Sequence, residues 1–170
     1  MAGKNELDTQ FVTPEELIQL ALELRTKGNI GIAYTYNEPL VGYEYIRDCA
    51  KLAKENGLKN VVVTNGCFCE EPMRELLPYI DALNIDLKGF TEEFYHNIGG
   101  SLETVKDFIR LASKTSHIEI TTLVIPGEND SEEEIRSLSK FIASVSKDIP
   151  LHLTRFFPRY KMLNRNASEV

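Results

Sequence analysis

The sequence predicts an α/β fold in which about five parallel strands curl into a partial (β/α) barrel with helices on the outside. Short apolar, β-prone segments alternate with segments of helical periodicity at intervals of roughly 30 residues. Polar residues follow these apolar segments directly, as at Glu38, Asn65 and Lys88. Because parallel strands end at one edge of their sheet, the loops that leave them can converge on one ligand. We therefore expect a single pocket at this edge.

Capping signals locate the starts of the helices. Residues Thr13 to Glu16 form a capping-box pattern with Pro14 at the first helical position, and Ser131 with Glu134 repeats the pattern. Together with the apolar periodicity, these signals predict helices from residue 14, over 41–56, from 72, over 102–114 and over 131–146.

The β-prone segments predict strands over residues 29–35, 60–64, 80–87, 118–125 and 151–157. Right-handed crossovers between them would leave the strands parallel and neighbouring in sequence order. No linker, low-complexity stretch or shift in composition divides the chain, so residues 1–170 are predicted to form one domain. The polar segment 161–168 is expected to fray.

The composition excludes several classes of protein. With 170 residues, 42% of them hydrophobic, the chain is long enough for a sizeable core. A net charge of −7, with 19 basic residues among 26 acidic ones, argues against a nucleic-acid partner. No apolar signal region or membrane-spanning segment is evident, so we expect a cytoplasmic protein that does not contact membranes. Three cysteines make a disulfide framework improbable.

Alternation along the strands sharpens the pocket. Asn84, Asp86 and Lys88 share one face of the third predicted strand, and Ile85 and Leu87 share the other. Polar groups within a buried strand are costly unless they are paired. Two interpretations remain open: these residues bind a ligand, or Asp86 and Lys88 form a structural salt bridge. The same alternation groups polar residues on the fourth and fifth strands, Glu119 with Thr121 and His152 with Thr154.

Five segments of the chain, in this order, resemble the radical S-adenosylmethionine enzymes: residues 31–39, 63–66, 83–89, 120–127 and 151–158. More narrowly, they resemble pyruvate formate-lyase-activating enzyme homologues, including the radical enzyme of the AmmeMemoRadiSam system. The resemblance spans residues 13 to 162 and implies a truncated radical-SAM-type barrel. For the intact family it implies S-adenosylmethionine, a [4Fe-4S] cluster and a 5′-deoxyadenosyl radical. The implied partner is a glycyl-radical protein or another protein substrate.

The resemblance also implies roles for individual residues. Asn37 and Glu38 match a Gly-Gly-Glu-Pro segment that receives the amino group of S-adenosylmethionine, with Tyr36 and Asn37 in place of the glycines. Thr64 and Asn65 match an Asp-Thr-Asn-Gly segment in which Val63 replaces the aspartate.

In the same way, Asp86 and Lys88 match a segment whose lysine contacts the ligand's carboxylate and ribose and whose aspartate helps to hold a monovalent cation. Thr121 stands where activating enzymes often have a ligand-contacting arginine, so Arg155 is expected to supply that charge. The predicted cofactor-binding residues are Tyr36, Asn37, Glu38, Thr64, Asn65, Asp86, Lys88, Thr121 and Arg155.

One departure from the family limits these implications. The Cys-x-x-x-Cys-x-x-Cys loop that holds the cluster does not occur, and the cysteines are Cys49, Cys67 and Cys69. We therefore expect that the first strand and its cluster loop are missing, that no metal is bound, and that this chain alone is inactive. Two alternatives are a non-catalytic binding or interaction module, and an unrelated barrel enzyme such as an aldolase with Lys88 as a Schiff-base lysine. Loss of the first strand would expose the next one as a sheet edge, which favours a homodimer.

Overall fold

The computed structural model describes residues 10–159, 162–164 and 166–168, and the segment 1–9, where we expected no signal sequence, lies outside them. One parallel sheet has the strand order β1-β2-β3-β4-β5. The strands are β1 (Gly31–Tyr34), β2 (Lys59–Thr64), β3 (Ala82–Asp86), β4 (His117–Val124) and β5 (Leu151–Arg155). The helices are α1 (Pro14–Glu23), α2 (Tyr43–Glu55), α3 (Glu70–Leu76), α4 (Glu92–Asn97), α5 (Leu102–Ala112) and α6 (Glu132–Val145). The predicted α/β fold with sequential parallel strands is confirmed.

The core lies between one face of the sheet and the helices. Val62, Ile85 and Ile120 are completely buried on that face, and Val105 and Ile109 of α5 pack in the same cluster. Removing such apolar surface from water is the main force that holds helices onto a sheet. The register places Asn84 beside Glu119 and Asp86 beside Thr121, so the opposite, inner face carries the polar side chains.

The helix caps follow the sequence signals with one exception. The Thr13 hydroxyl accepts a hydrogen bond from the backbone of Glu16, whose carboxylate accepts one from the backbone of Thr13 in return, as predicted. The Ser131 hydroxyl likewise accepts from the backbone of Glu134. The predicted reciprocal bond is replaced by a tertiary one, because the Glu134 carboxylate accepts from the backbone N–H of Phe90 at 2.5 Å.

Several predicted boundaries were wrong. α2 begins at Tyr43 after a 3-10 turn over Pro39–Gly42, and α3 begins at Glu70, two residues before Pro72. The short helix α4, which the Thr91 side chain caps, was not predicted, because six residues carry too little periodicity. Ser168 was expected to fray, yet it is buried and its hydroxyl donates to the carbonyl of Val124 at 2.6 Å.

The two edges of the sheet differ in their exposure. Of the strands that the structure describes, β1 pairs only with β2, so its other side forms an edge of the sheet, and the preceding Ile30 is 75% exposed. β5 forms the opposite edge, where the residues from His152 to Arg155 are all exposed. Among the described residues, no helix is long and apolar enough to cross a membrane.

Candidate functional site

A cavity of about 480 Å³ opens at the carboxyl edge of the sheet, where polar side chains from four successive strand ends converge. It contains every predicted cofactor-binding residue except Arg155, together with Thr35, Val63 and Asn84. Alternation along β3 had already placed Asn84 on this face. The lining residues are Thr35, Tyr36, Asn37, Glu38, Val63, Thr64, Asn65, Asn84, Asp86, Lys88 and Thr121. A cavity built from several separate segments is therefore present at the ends of the strands.

Glu38 joins the end of β1 to the end of β2. Its carboxylate accepts hydrogen bonds from the Thr64 hydroxyl and the backbone N–H of Asn65, each at 2.7 Å, and from the backbone N–H of Leu40 at 3.2 Å. Thr64 and Leu40 donate to one oxygen, and Asn65 donates to the other. Because a carboxylate offers about four lone-pair positions, one acceptor position remains on the second oxygen.

Asp86 and Lys88 form an ion pair in the cavity, with 2.7 Å between Lys88 Nζ and Asp86 Oδ2. The salt bridge that we considered as a structural alternative is therefore present. Both side chains stay partly accessible, with exposures of 34% for Asp86 and 45% for Lys88, so the pair also faces the cavity. Beside it, the Thr121 hydroxyl donates to the side-chain oxygen of Asn84 at 3.0 Å.

Arg155 lies apart from the other predicted residues. β5 ends at Arg155, opposite Val124, and alternation places Arg155 on the same face as Leu151, which packs against the core. The guanidinium lies over the ring of Phe157, 5.1 Å from its centroid. The sequence had suggested a strand to residue 157, but the strand is shorter and its alternation turns Arg155 away from the inner face.

Glu119 and two histidines form a second polar group on the inner face, near the start of β4 and β5 and outside the cavity. The Glu119 carboxylate is paired with His152 at 2.8 Å and with His117 at 3.3 Å. The hydrogen bond from His152, followed by that from His117, lowers the pKa of Glu119 below its usual range. His152 does not line the cavity and belongs to this pair with Glu119.

The three cysteines do not form a cluster site. Cys49 is completely buried in α2, whereas Cys67 and Cys69 are exposed in the loop after β2. These two thiols line a different cavity, of about 740 Å³, between that loop and α5. Within the described part of the chain, no three His, Cys, Asp or Glu residues are grouped so that they could hold a metal ion. The residues therefore do not fit a [4Fe-4S] cluster, which requires closely placed thiolates.

Comparison with known proteins identifies a superfamily whose profile matches most of this chain. The profile of the Radical SAM superfamily matches residues 2–138. An uncharacterized protein of Methanocaldococcus jannaschii, MJ0808, is 37% identical over 161 residues, which are 93% of this chain and 46% of that protein. The pyruvate formate-lyase-activating enzyme of Clostridium pasteurianum is 27% identical over 96% of this chain and 70% of its own length. The chain thus spans about half the length of the archaeal relative.

Solved structures agree with the fold. A domain of pyruvate-formate lyase-activating enzyme from Bacteroides vulgatus superposes with a TM-score of 0.60 at 24% identity, covering 72% of this chain and 75% of that domain. Methylornithine synthase superposes with a TM-score of 0.62 at 17% identity, covering 94% of this chain and 48% of that protein. At these identities the likeness concerns the fold alone, and it supports the partial barrel.

Proposed function

Because this chain belongs to the radical SAM superfamily, we propose that its cavity at the carboxyl edge of the sheet binds S-adenosylmethionine. The enzyme to which this site belongs would resemble the pyruvate formate-lyase-activating enzymes. The observation that carries the proposal is the convergence of Glu38, after β1, with Asp86 and Lys88, at the end of β3, on one cavity. A volume of about 480 Å³ lies in the range of sites for small molecules.

The chemistry of the lining matches the charged end of this ligand. Glu38 keeps one acceptor position for an ammonium group, and Lys88 can turn its own ammonium from Asp86 to a carboxylate. Neutral hydrogen-bonding groups from Thr64, Asn65 and Thr121 also line the cavity. Tyr36 and Asn37 line it from the segment after β1. Arg155 is left outside the proposed site, because it lies on the other face of β5.

An iron-sulfur cluster, when bound, would supply the electron for reductive cleavage of S-adenosylmethionine to methionine and a 5′-deoxyadenosyl radical. The described residues of this chain do not fit such a cluster, because no three His, Cys, Asp or Glu side chains among them are grouped to hold a metal ion. What these residues can do is bind the ligand and orient its amino and carboxylate groups. We further propose that the 170 residues form one domain, that they do not cleave S-adenosylmethionine by themselves, and that the intact enzyme acts on a glycyl-radical or other protein.

The absence of a thiolate cluster also favours a second candidate, a non-catalytic module that keeps the pocket for binding alone. Both candidates bind S-adenosylmethionine. They differ in whether the addition of a cluster-bearing segment would restore cleavage of this ligand. The aldolase alternative has less support. The Lys88 ammonium is paired with Asp86, and Lys88 lies within the residues that match the radical SAM superfamily.

Binding is tested by NMR titration of the chain with S-adenosylmethionine. We expect a dissociation constant of about millimolar, because contacts to a cluster are lacking, and a further loss of affinity in Lys88→Ala. Lys59→Ala is the matched control: Lys59 forms a similar 2.7 Å pair with Asp81, but Lys59 lies at the opposite end of the sheet. Equal affinities for wild type, Lys88→Ala and Lys59→Ala would remove Lys88 from the site.

Cleavage is tested by anaerobic reconstitution with iron and sulfide. We expect no stable broad absorption near about 400 nm and no 5′-deoxyadenosine, because three suitably spaced thiolates are lacking. The variant Cys67→Ser with Cys69→Ser serves as the control. A stable absorption that the wild type shows and this variant loses would assign Cys67 and Cys69 as ligands and contradict the proposal.

A further inference from the structure

The loop after β3, residues 87–90, is held by hydrogen bonds from elements outside the cavity. Both backbone polar atoms of Lys88 are bonded to side chains: its N–H donates to the Tyr95 hydroxyl at 3.1 Å, and its carbonyl accepts from the Asn129 amide at 2.6 Å. The backbone N–H of Phe90 donates to Glu134. With both flanking peptide groups fixed, the direction in which the Lys88 side chain leaves the backbone is fixed as well.

Asn129 is the central member of this arrangement. It is only 1% exposed, and its amide group also donates to the carbonyl of Leu123 at 2.9 Å. Its side-chain oxygen accepts from the backbone N–H of Ile125 at 2.6 Å. One side chain therefore joins the loop after β3 to the end of β4. Nothing in the local sequence pattern indicates this bond, because Asn129 and Lys88 are far apart in the chain.

We propose that Asn129 is a positioning residue for Lys88. By holding the Lys88 carbonyl from the loop after β4, it directs the ammonium group into the cavity. The backbone of Lys88 then has fewer conformations to lose when a ligand binds. The expected effect of Asn129 on ligand binding rests on the proposed function. Its effect on the conformation of the loop does not. The Glu134 carboxylate supports the same loop two residues further along.

Asn60 provides a matched control within the same protein. It is a completely buried asparagine that also makes three side-chain hydrogen bonds, with Tyr34 and with the carbonyls of Ala50 and Tyr79. It lies near the start of β2, at the end of the sheet away from the cavity. Asn60→Ala and Asn129→Ala therefore remove comparable contacts, and only the second acts on the loop that carries Lys88.

The first experiment measures amide hydrogen exchange of the full chain by NMR. In Asn129→Ala we expect exchange at Lys88 and Phe90 to rise about tenfold beyond what the loss of global stability accounts for, since the loop opens locally. Asn60→Ala should show no such excess at these two amides. Equal exchange profiles in the two variants, after correction for global stability, would overturn the proposal. Should Asn129→Ala not fold, Glu134→Ala must give the local excess at Phe90, because the Ser131 cap of α6 is retained.

The second experiment is a double-mutant cycle on binding of S-adenosylmethionine. If Asn129 acts through Lys88, Asn129→Ala should weaken binding about threefold in the wild type and have no further effect in Lys88→Ala. The same threefold loss in both backgrounds would show that Asn129 does not act through Lys88. If the wild type does not bind the ligand at all, the proposed function is wrong, and hydrogen exchange alone decides whether Asn129 fixes the loop.

Discussion

Replacement of Glu38 by glutamine tests whether this carboxylate holds the cavity together. A carboxylate accepts through both oxygens, and here Thr64 and Asn65 donate to different ones. An amide offers one oxygen and one NH2 group, so either orientation in Glu38→Gln places a donor against a donor. One charge-assisted hydrogen bond is lost and the others become neutral.

The size of the effect follows from these contacts. Hydrogen bonds to charged groups contribute about 1.5–3 kcal/mol each, and the partial exposure of Glu38 favours the lower part of that range. We therefore expect Glu38→Gln to lose about 2 kcal/mol of unfolding free energy. For a chain of this length, the melting temperature should fall by about 4–8 °C.

The measurement is urea and thermal unfolding followed by circular dichroism. Glu44→Gln, an exposed carboxylate in the first turn of α2, is the control and should change the unfolding free energy by less than about 0.5 kcal/mol. A melting temperature of Glu38→Gln within about 1 °C of the wild type would refute the reasoning, because the three bonds to Glu38 would then contribute little.

Two further predictions concern other parts of the sheet. The pKa of Glu119 is lowered in the folded chain, so its contribution to stability is present above the ordinary carboxyl pKa and is lost as the pH falls through the lowered value. Urea unfolding should therefore show a smaller loss of stability on acidification in Glu119→Gln than in the wild type, and an equal loss would contradict the role of the His152 pair. We also propose that a second copy of the chain pairs with the open β1 edge or covers it. Light scattering at micromolar concentration should then show a dimer that Ala33→Lys weakens, and a wild type that stays monomeric would show this proposal to be wrong.

The sequence predicted the parts of the site that depend on local patterns. Alternation was enough to place Asn84, Asp86 and Lys88 on one face, because a strand has a strict period of two. The order of the strands followed from the right-handed crossover, which leaves few other arrangements. Local patterns therefore determined both the sheet and the edge at which the cavity forms.

What the sequence could not predict depends on contacts between distant segments. Glu134 has the pattern of a capping box, yet it bonds to Phe90, and no local signal distinguishes the two outcomes. The resemblance placed Arg155 in the site, whereas alternation along β5 puts it on the face opposite His152 and Thr154. Asn129 bonds to Ile125 and Leu123 nearby in the chain, but its bond to the Lys88 carbonyl joins residues 41 positions apart, which no local pattern indicates.

The strictly sequential order of the strands has a consequence for how the chain acquires its structure. Val62 pairs with Leu83, and Leu83 pairs in turn with Ile118, so each strand can dock on the one made just before it. Each pairing therefore closes only the connection between successive strands, which costs less entropy than pairing with a strand further along the chain would. The sheet can thus grow from β1 towards β5 while the chain is being synthesised, and the cavity is complete only once β4 has been added.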